Sequence, residues 1–188
     1  MAVREILRMG HPILRQRARE LTNDELRSAA TRALLEDMTE TLAAVGGIGL
    51  AAPQIGVPLR LAIIRIPGGP SRYGDIPEVP LAVYANPTIE VRDATLQGFW
   101  EGCLSVPGLR GFVERPRAIR VRWQDLEGAA AEAELDDFLA TVFQHEFDHL
   151  DGRLYVDRLR DTRLLMFEEE FARYTAAEGE GGSDDAAG

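Results

Sequence analysis

The chain has 188 residues, 45% of them hydrophobic, which is enough to bury the core of one ordinary domain and gives no reason to expect two. Its formal net charge of -10, with an isoelectric point near 4.8, argues against a partner held by its phosphate backbone, so nucleic acid is not expected to bind. No run of eighteen apolar residues exists and the opening MAVREILRMGHP is charged where an export signal would be apolar, so the chain is expected to be cytoplasmic, with no membrane partner.

Leu26, Ala30, Ala33, Leu34, Met38 and Leu42 recur at helical spacing and predict a helix over residues 23–45, with Asn23 as cap and Glu25 in the first turn. Gly46 and Gly47 end it and lead into GIGLAAPQIG, which is too glycine-rich for a helix and too apolar for a solvated loop. Residues 59–66, 81–86, 88–92 and 117–124 are rich in β-branched side chains and bounded by Pro, Gly or Asp, as strands are. The stretch PGGPSRYGDIPEVP between the first two is a surface loop by composition. Residues 125–128 (DLEG) read as a hairpin turn into a strand at 130–135. The segment DDFLATVFQHEFDHLDG follows as a helix with aspartate caps and Gly152 as its stop. Residues 161–176 predict a third helix, and residues 177–188 a disordered acidic tail after a single catalytic domain spanning 1–176. Strands gathered between helices at both ends give an α+β class, with antiparallel or mixed sheets around a central metal-binding helix.

The sharpest chemical signal is His145-Glu146-Phe147-Asp148-His149. Two imidazoles at i and i+4 stand on one helix face and can grip one metal ion, with Glu146 beside them as a base. A catalytic site needs a third protein ligand and an open position. The pattern His149-x-x-Gly-x-x-His is closed because position 155 is Tyr. Spacing leaves two alternatives. One is a glutamate of a following helix, Glu168, Glu169 or Glu170, as in a zinc endopeptidase. The other is Cys103, the one thiol of the chain, which cannot form an internal disulfide and sits in Glu101-Gly102-Cys103-Leu104-Ser105-Val106-Pro107-Gly108. A thiolate with two imidazoles suits Zn²⁺ or Fe²⁺.

Three segments, Gly47-Ile48-Gly49-Leu50-Ala51-Ala52-Pro53-Gln54, Glu101-Gly102-Cys103-Leu104-Ser105 and Gln144-His145-Glu146-Phe147-Asp148-His149-Leu150-Asp151-Gly152, together resemble the signature motifs of peptide deformylases, in family order. The likeness runs from about Arg4 to Leu159. The resemblance implies a hydrolase of protein biosynthesis that removes the formyl group from the N-terminal formylmethionine of new peptides and releases formate. It implies Cys103, His145 and His149 as metal ligands, with Fe²⁺ in the cell and Zn²⁺, Ni²⁺ or Co²⁺ acceptable in purified protein. It implies that the Gln54 amide and the Leu104 backbone N–H donate to the formyl oxygen as charge develops there. Glu146 then takes a proton from the attacking water and passes it to the leaving α-amine.

The same resemblance places the substrate's methionine in an apolar pocket for which Ile48, Phe99, Phe138, Thr141 and Val142 match by position. Ordinary core packing is the competing role for each. Gly47 and Gly49 would let the substrate backbone pair as an added strand, or would simply make a turn. Arg110 matches a position near the substrate's downstream residues, with a solvated arginine as the other reading. Phe138 and Thr141 depart from what the family is expected to carry, so the pocket should differ in shape. His11 is expected to serve as a surface or capping residue. The acidic stretch from Phe167 to Phe171 lacks the basic character of ribosome-docking relatives, so ribosome association is not carried over.

Overall fold

The computed structural model describes residues 2–71 and 74–175. Residues 177–188, expected to form a disordered tail, lie outside the described residues. The predicted N-terminal helix is two helices, α1 (Asn23–Arg27) and α2 (Ala29–Val45). Thr22, and not Asn23, caps α1: its hydroxyl accepts from the Glu25 N–H at 3.3 Å while Glu25 accepts from the Thr22 N–H at 2.9 Å. Ser28 then takes an extended conformation (φ -67°, ψ 152°), and its hydroxyl accepts from the Thr31 N–H. A residue that can cap a new helix interrupts the old one despite continuous apolar spacing.

The strands form one antiparallel sheet in the order β1 (Gly49–Ala51), β2 (Leu61–Ile66), β5 (Val79–Cys103), β6 (Val106–Gln124), β7 (Ala130–Asp136), with β8 (Leu165–Phe167) added to β6. The expected strands at 81–86 and 88–92 are parts of the single 25-residue β5, and the one at 117–124 is the end of the 19-residue β6. Asn86, at φ 49°, lies where the pairing register shifts between Ala85 and Thr88, a bulge that looks like a strand boundary from composition. The expected surface loop contains a small separate hairpin, β3 (Gly69–Ser71) with β4 (Gly74–Ile76). The turn after β6 is as expected, closed by the Gly128 N–H donating to the Asp125 carbonyl.

Strand β2 is apolar on both faces because helices cover both. Leu50, Leu61, Ile63 and Ala85 pack with Leu35, Met38 and Leu42 of α2. Ala51, Ala62, Ile64, Ile66 and Tyr84 pack with Ala140, Val142, Phe143, Phe147 and Leu150 of the central helix α3 (Asp137–Leu150). Each of these large side chains contributes roughly 1.5–3 kcal/mol by leaving water. The predicted third helix is replaced over Leu165–Phe167 by β8, whose register pairs Leu109 with Phe167 and Gly111 with Leu165. Among the described residues of that span, helical turns remain at Thr162–Leu164, in α4 (Glu168–Glu170) and in the wider turn Phe171–Thr175. The α+β class with a central helix stands. His11 caps the turn Pro12–Arg15 by accepting from the Ile13 N–H.

Candidate metal centre

Helix α3 presents its functional face because both ends are fixed. At the start, Asp136 is the cap residue but makes no side-chain cap bond, contrary to the expected aspartate capping. Asp137, at φ 48°, pairs with Arg117 at 3.0 Å, and its carbonyl accepts from Gln97 at 2.7 Å. At the far end Gly152 stops the helix as expected, at φ 72°. A Cβ there would lie 2.7 Å from the Arg15 carbonyl carbon. Buried Arg60 donates to the Leu150 carbonyl at 3.2 Å and to Asp151 at 2.7 Å.

On that face His145 and His149 meet Cys103, which arrives from the tip of the β5–β6 hairpin. The three donor atoms lie within 4.8 Å of one another, and Cys103 Sγ is 3.4 Å from His149 Nε2. His145 Nδ1 is held 2.7 Å from Glu101 Oε2, which leaves its Nε2 for the cluster. Burial pushes the Cys103 thiol up, but His149 and His145 beside it more than offset this and hold it well below the usual thiol range. A low-pKa thiolate with two imidazoles is a donor set for a soft or borderline divalent cation. Of the glutamates weighed as third ligand, Glu168 is bonded to Arg110, and none joins a metal-capable group among the described residues.

Glu146 is buried beside the cluster, and its Oε2 has no partner among the described residues. Burial raises its carboxyl above the ordinary range, with His145 and His149 pulling the other way. Gln54 sits in the turn Ala52–Ile55, where its Oε1 accepts from the Ala51 N–H at 2.8 Å. This orients Nε2 toward Cys103 Sγ (3.7 Å) and Ser105 Oγ (3.3 Å). Leu104 follows Cys103 and lines the same space.

A cavity of about 580 Å³ opens over these groups. Gly47, Ile48, Gly49, Phe99, Arg110, Phe138, Thr141 and Val142 all line it, together with Gln54, Cys103, Leu104, His145 and Glu146. His149 stays beneath, almost fully buried. Phe99 and Phe138 meet edge to face at 5.7 Å. Gly49 proves more than a turn: β1 and β2 pair Gly49 with Ile64 on the α3 side of the sheet, and a Cβ at Gly49 would fall 2.3 Å from the Glu146 carboxyl carbon.

Sequence reasoning missed the buried charges behind the Cys-His-His cluster. Arg115 on β6, 2% exposed, donates through Nε and NH2 to both oxygens of Glu101 (2.6 and 3.0 Å) and through NH1 to Asp148 (2.8 Å). Arg158 donates to the other side of Asp148 at 2.5 Å. Burial alone would raise the Glu101 and Asp148 carboxyls, yet their basic partners bring both below normal. Tyr155 stacks on the His145 ring at 6.1 Å, and burial pushes its hydroxyl up to about 12. Nothing in the spacing of Arg115 signals this role, because a strand arginine reads as exposed.

The profile of the family described as polypeptide deformylase matches residues 3–164. The chain is 45% identical over 170 residues to a peptide deformylase of Leptospira biflexa, covering 90% of this chain and 95% of that one. It is 47% identical over 167 residues to peptide deformylase 2 of Bordetella bronchiseptica, covering 89% and 93%. Its fold matches the Met-Ala-Ser-bound class I type b peptide deformylase of Acinetobacter baumannii with a TM-score of 0.78 and 36% identity, covering 84% and 99%.

Proposed function

We propose that this chain, which belongs to the polypeptide deformylase family and removes the N-formyl group from newly made peptides, works through Glu146 as general base beside a cation held by Cys103, His145 and His149. The observation that carries the assignment is the convergence of those three donors next to a buried Glu146 oxygen with no partner among the described residues. The family is metal-dependent, and a bound divalent ion would supply Lewis-acid activation of water and of the formyl carbonyl. Fe²⁺ is the proposed ion in the cell, with Zn²⁺, Ni²⁺ or Co²⁺ in purified protein, because the Cys-His-His set accepts all four.

The protein groups divide the work. The raised Glu146 carboxyl takes a proton from the attacking water and returns it to the leaving amine, a role that needs a base able to hold the proton between steps. Gln54 Nε2, aimed by the Ala51 N–H, and the Leu104 N–H donate to the formyl oxygen, each worth about 3 kcal/mol in the transition state. Glu101 fixes the His145 tautomer. Ile48, Phe99, Phe138, Thr141 and Val142 receive the methionine side chain, and the substrate backbone runs along Gly47 and Gly49, whose missing side chains leave room for Leu42 and Leu104 and for Glu146. Residues 1–176 act as one catalytic domain. The proposed site of action is the cytoplasm, because the substrates are newly made peptides. Among the described residues no helix is long and apolar enough to cross a membrane. Ribosome docking is not assigned, given the acidic stretch Glu168–Glu170.

Anaerobic hydrolysis of formyl-Met-Ala-Ser by Fe²⁺- or Ni²⁺-loaded protein tests the assignment. Formate release should be lost in Glu146→Ala with metal retained, and lost in Cys103→Ala together with the metal. Cleavage of internal peptide bonds with Cys103 dispensable would sink it.

A further inference from the structure

We infer that Glu168 sets the charge preference of the site for substrate side chains downstream of the methionine, by neutralising Arg110 at the mouth of the cavity. The inference rests on the deformylase reading above. Pairing of β8 with β6 sets Arg110 opposite Met166, and the chain then turns so that Glu168 reaches the arginine. Arg110 donates to Glu168 Oε1 through both Nε (3.0 Å) and NH2 (2.8 Å). Its guanidinium lies 5.9 Å from the centre of the Phe171 ring. A Cβ on Gly102, the residue before Cys103, would sit 3.2 Å from the guanidinium carbon, so the backbone there runs close to Arg110. Glu168 and Phe171 thus both engage Arg110.

Both partners line the cavity that contains Cys103 and Glu146, and both keep part of their side chains in solvent (36% and 52%). Among the described residues Arg110 is the one arginine lining it; of the other carboxylates there, Glu101 is matched internally by Arg115 and Glu146 is buried beside the Cys103 cluster. A substrate extending out of the cavity therefore meets a charge pair whose sum is close to zero, and an acidic side chain gains little from Arg110. Without the Glu168 carboxylate the same mouth is positive. In solvent such a charge changes affinity for one charged side chain by about two- to fivefold, in opposite senses for acid and base.

The test is kcat/KM for formate release from formyl-Met-Ala-Glu and formyl-Met-Ala-Lys by wild type, Glu168→Gln and Glu168→Arg. The Glu-to-Lys ratio should rise roughly four- to 25-fold in Glu168→Gln and further in Glu168→Arg, mainly through KM, and the rise should shrink at high salt. A ratio that stays put in both variants, with both substrates slowed together, would mean that Glu168 only anchors the C-terminal segment, and the inference fails while the deformylase reading stands. Absence of formate release by the loaded wild type would remove both.

Discussion

A single methyl group at position 49 would occupy the space of Glu146, the proposed general base. Glu146 is rooted in a buried helix and its carboxylate cannot retreat far, so Gly49→Ala forces the 2.3 Å overlap to be relieved by displacing that carboxylate. Formate release should fall at least about 100-fold, the usual share of a positioned general base, while bound metal stays near one ion per chain. Activity within about tenfold of wild type would show that Glu146 tolerates the shift and does not act by position. The residue scale also shows what the sequence could tell. That His145, His149 and Glu146 share one site was legible because metal chemistry restricts both residue type and spacing, whereas spacing left Cys103 open against Glu168, Glu169 and Glu170 and the family resemblance alone chose it. Glu101 lay inside a quoted motif but its role did not show, and Arg115 was invisible, because their partners lie on other elements.

At the scale of elements, Arg115 ties β5, through Glu101, to α3, through Asp148. Replacing it with leucine leaves two carboxylates buried without their shared cation, a loss of about 3–5 kcal/mol and a large part of a typical domain's stability. Denaturant unfolding of Arg115→Leu at neutral pH measures it, and a loss below about 1 kcal/mol would mean that Arg158 alone satisfies the site. Arg115→Lys should recover only part, because an ammonium cannot span Glu101 as the planar fork does. Periodicity located α2, α3 and the apolar β2, but not the break at Ser28 or the boundaries within β5 and β6, where bulges at Asn86 and Asp93 mimic strand ends. It misread residues 165–167 as helix because local spacing carries no record of the open edge of β6 that they fill.

Across the whole molecule, the cluster joins two pieces that the chain keeps 46 residues apart: the hairpin tip bearing Cys103 and the helix bearing His149. A cation bound by both recognises only the folded arrangement, so its binding energy adds to stability. At free metal about 1,000-fold above its dissociation constant the gain is about 4 kcal/mol. A domain of this size converts that to a rise in unfolding temperature of roughly 8–16 °C. Calorimetry of protein loaded with Ni²⁺ or Zn²⁺, before and after a strong chelator, should show that drop. In Cys103→Ser the chelator should move the transition little, because the hairpin no longer shares the ion with the helix. An equal drop in both proteins would place the ion on the α3 histidines alone, leave β5 and β6 uncoupled from it, and remove the reason for Cys103 to be held as a thiolate.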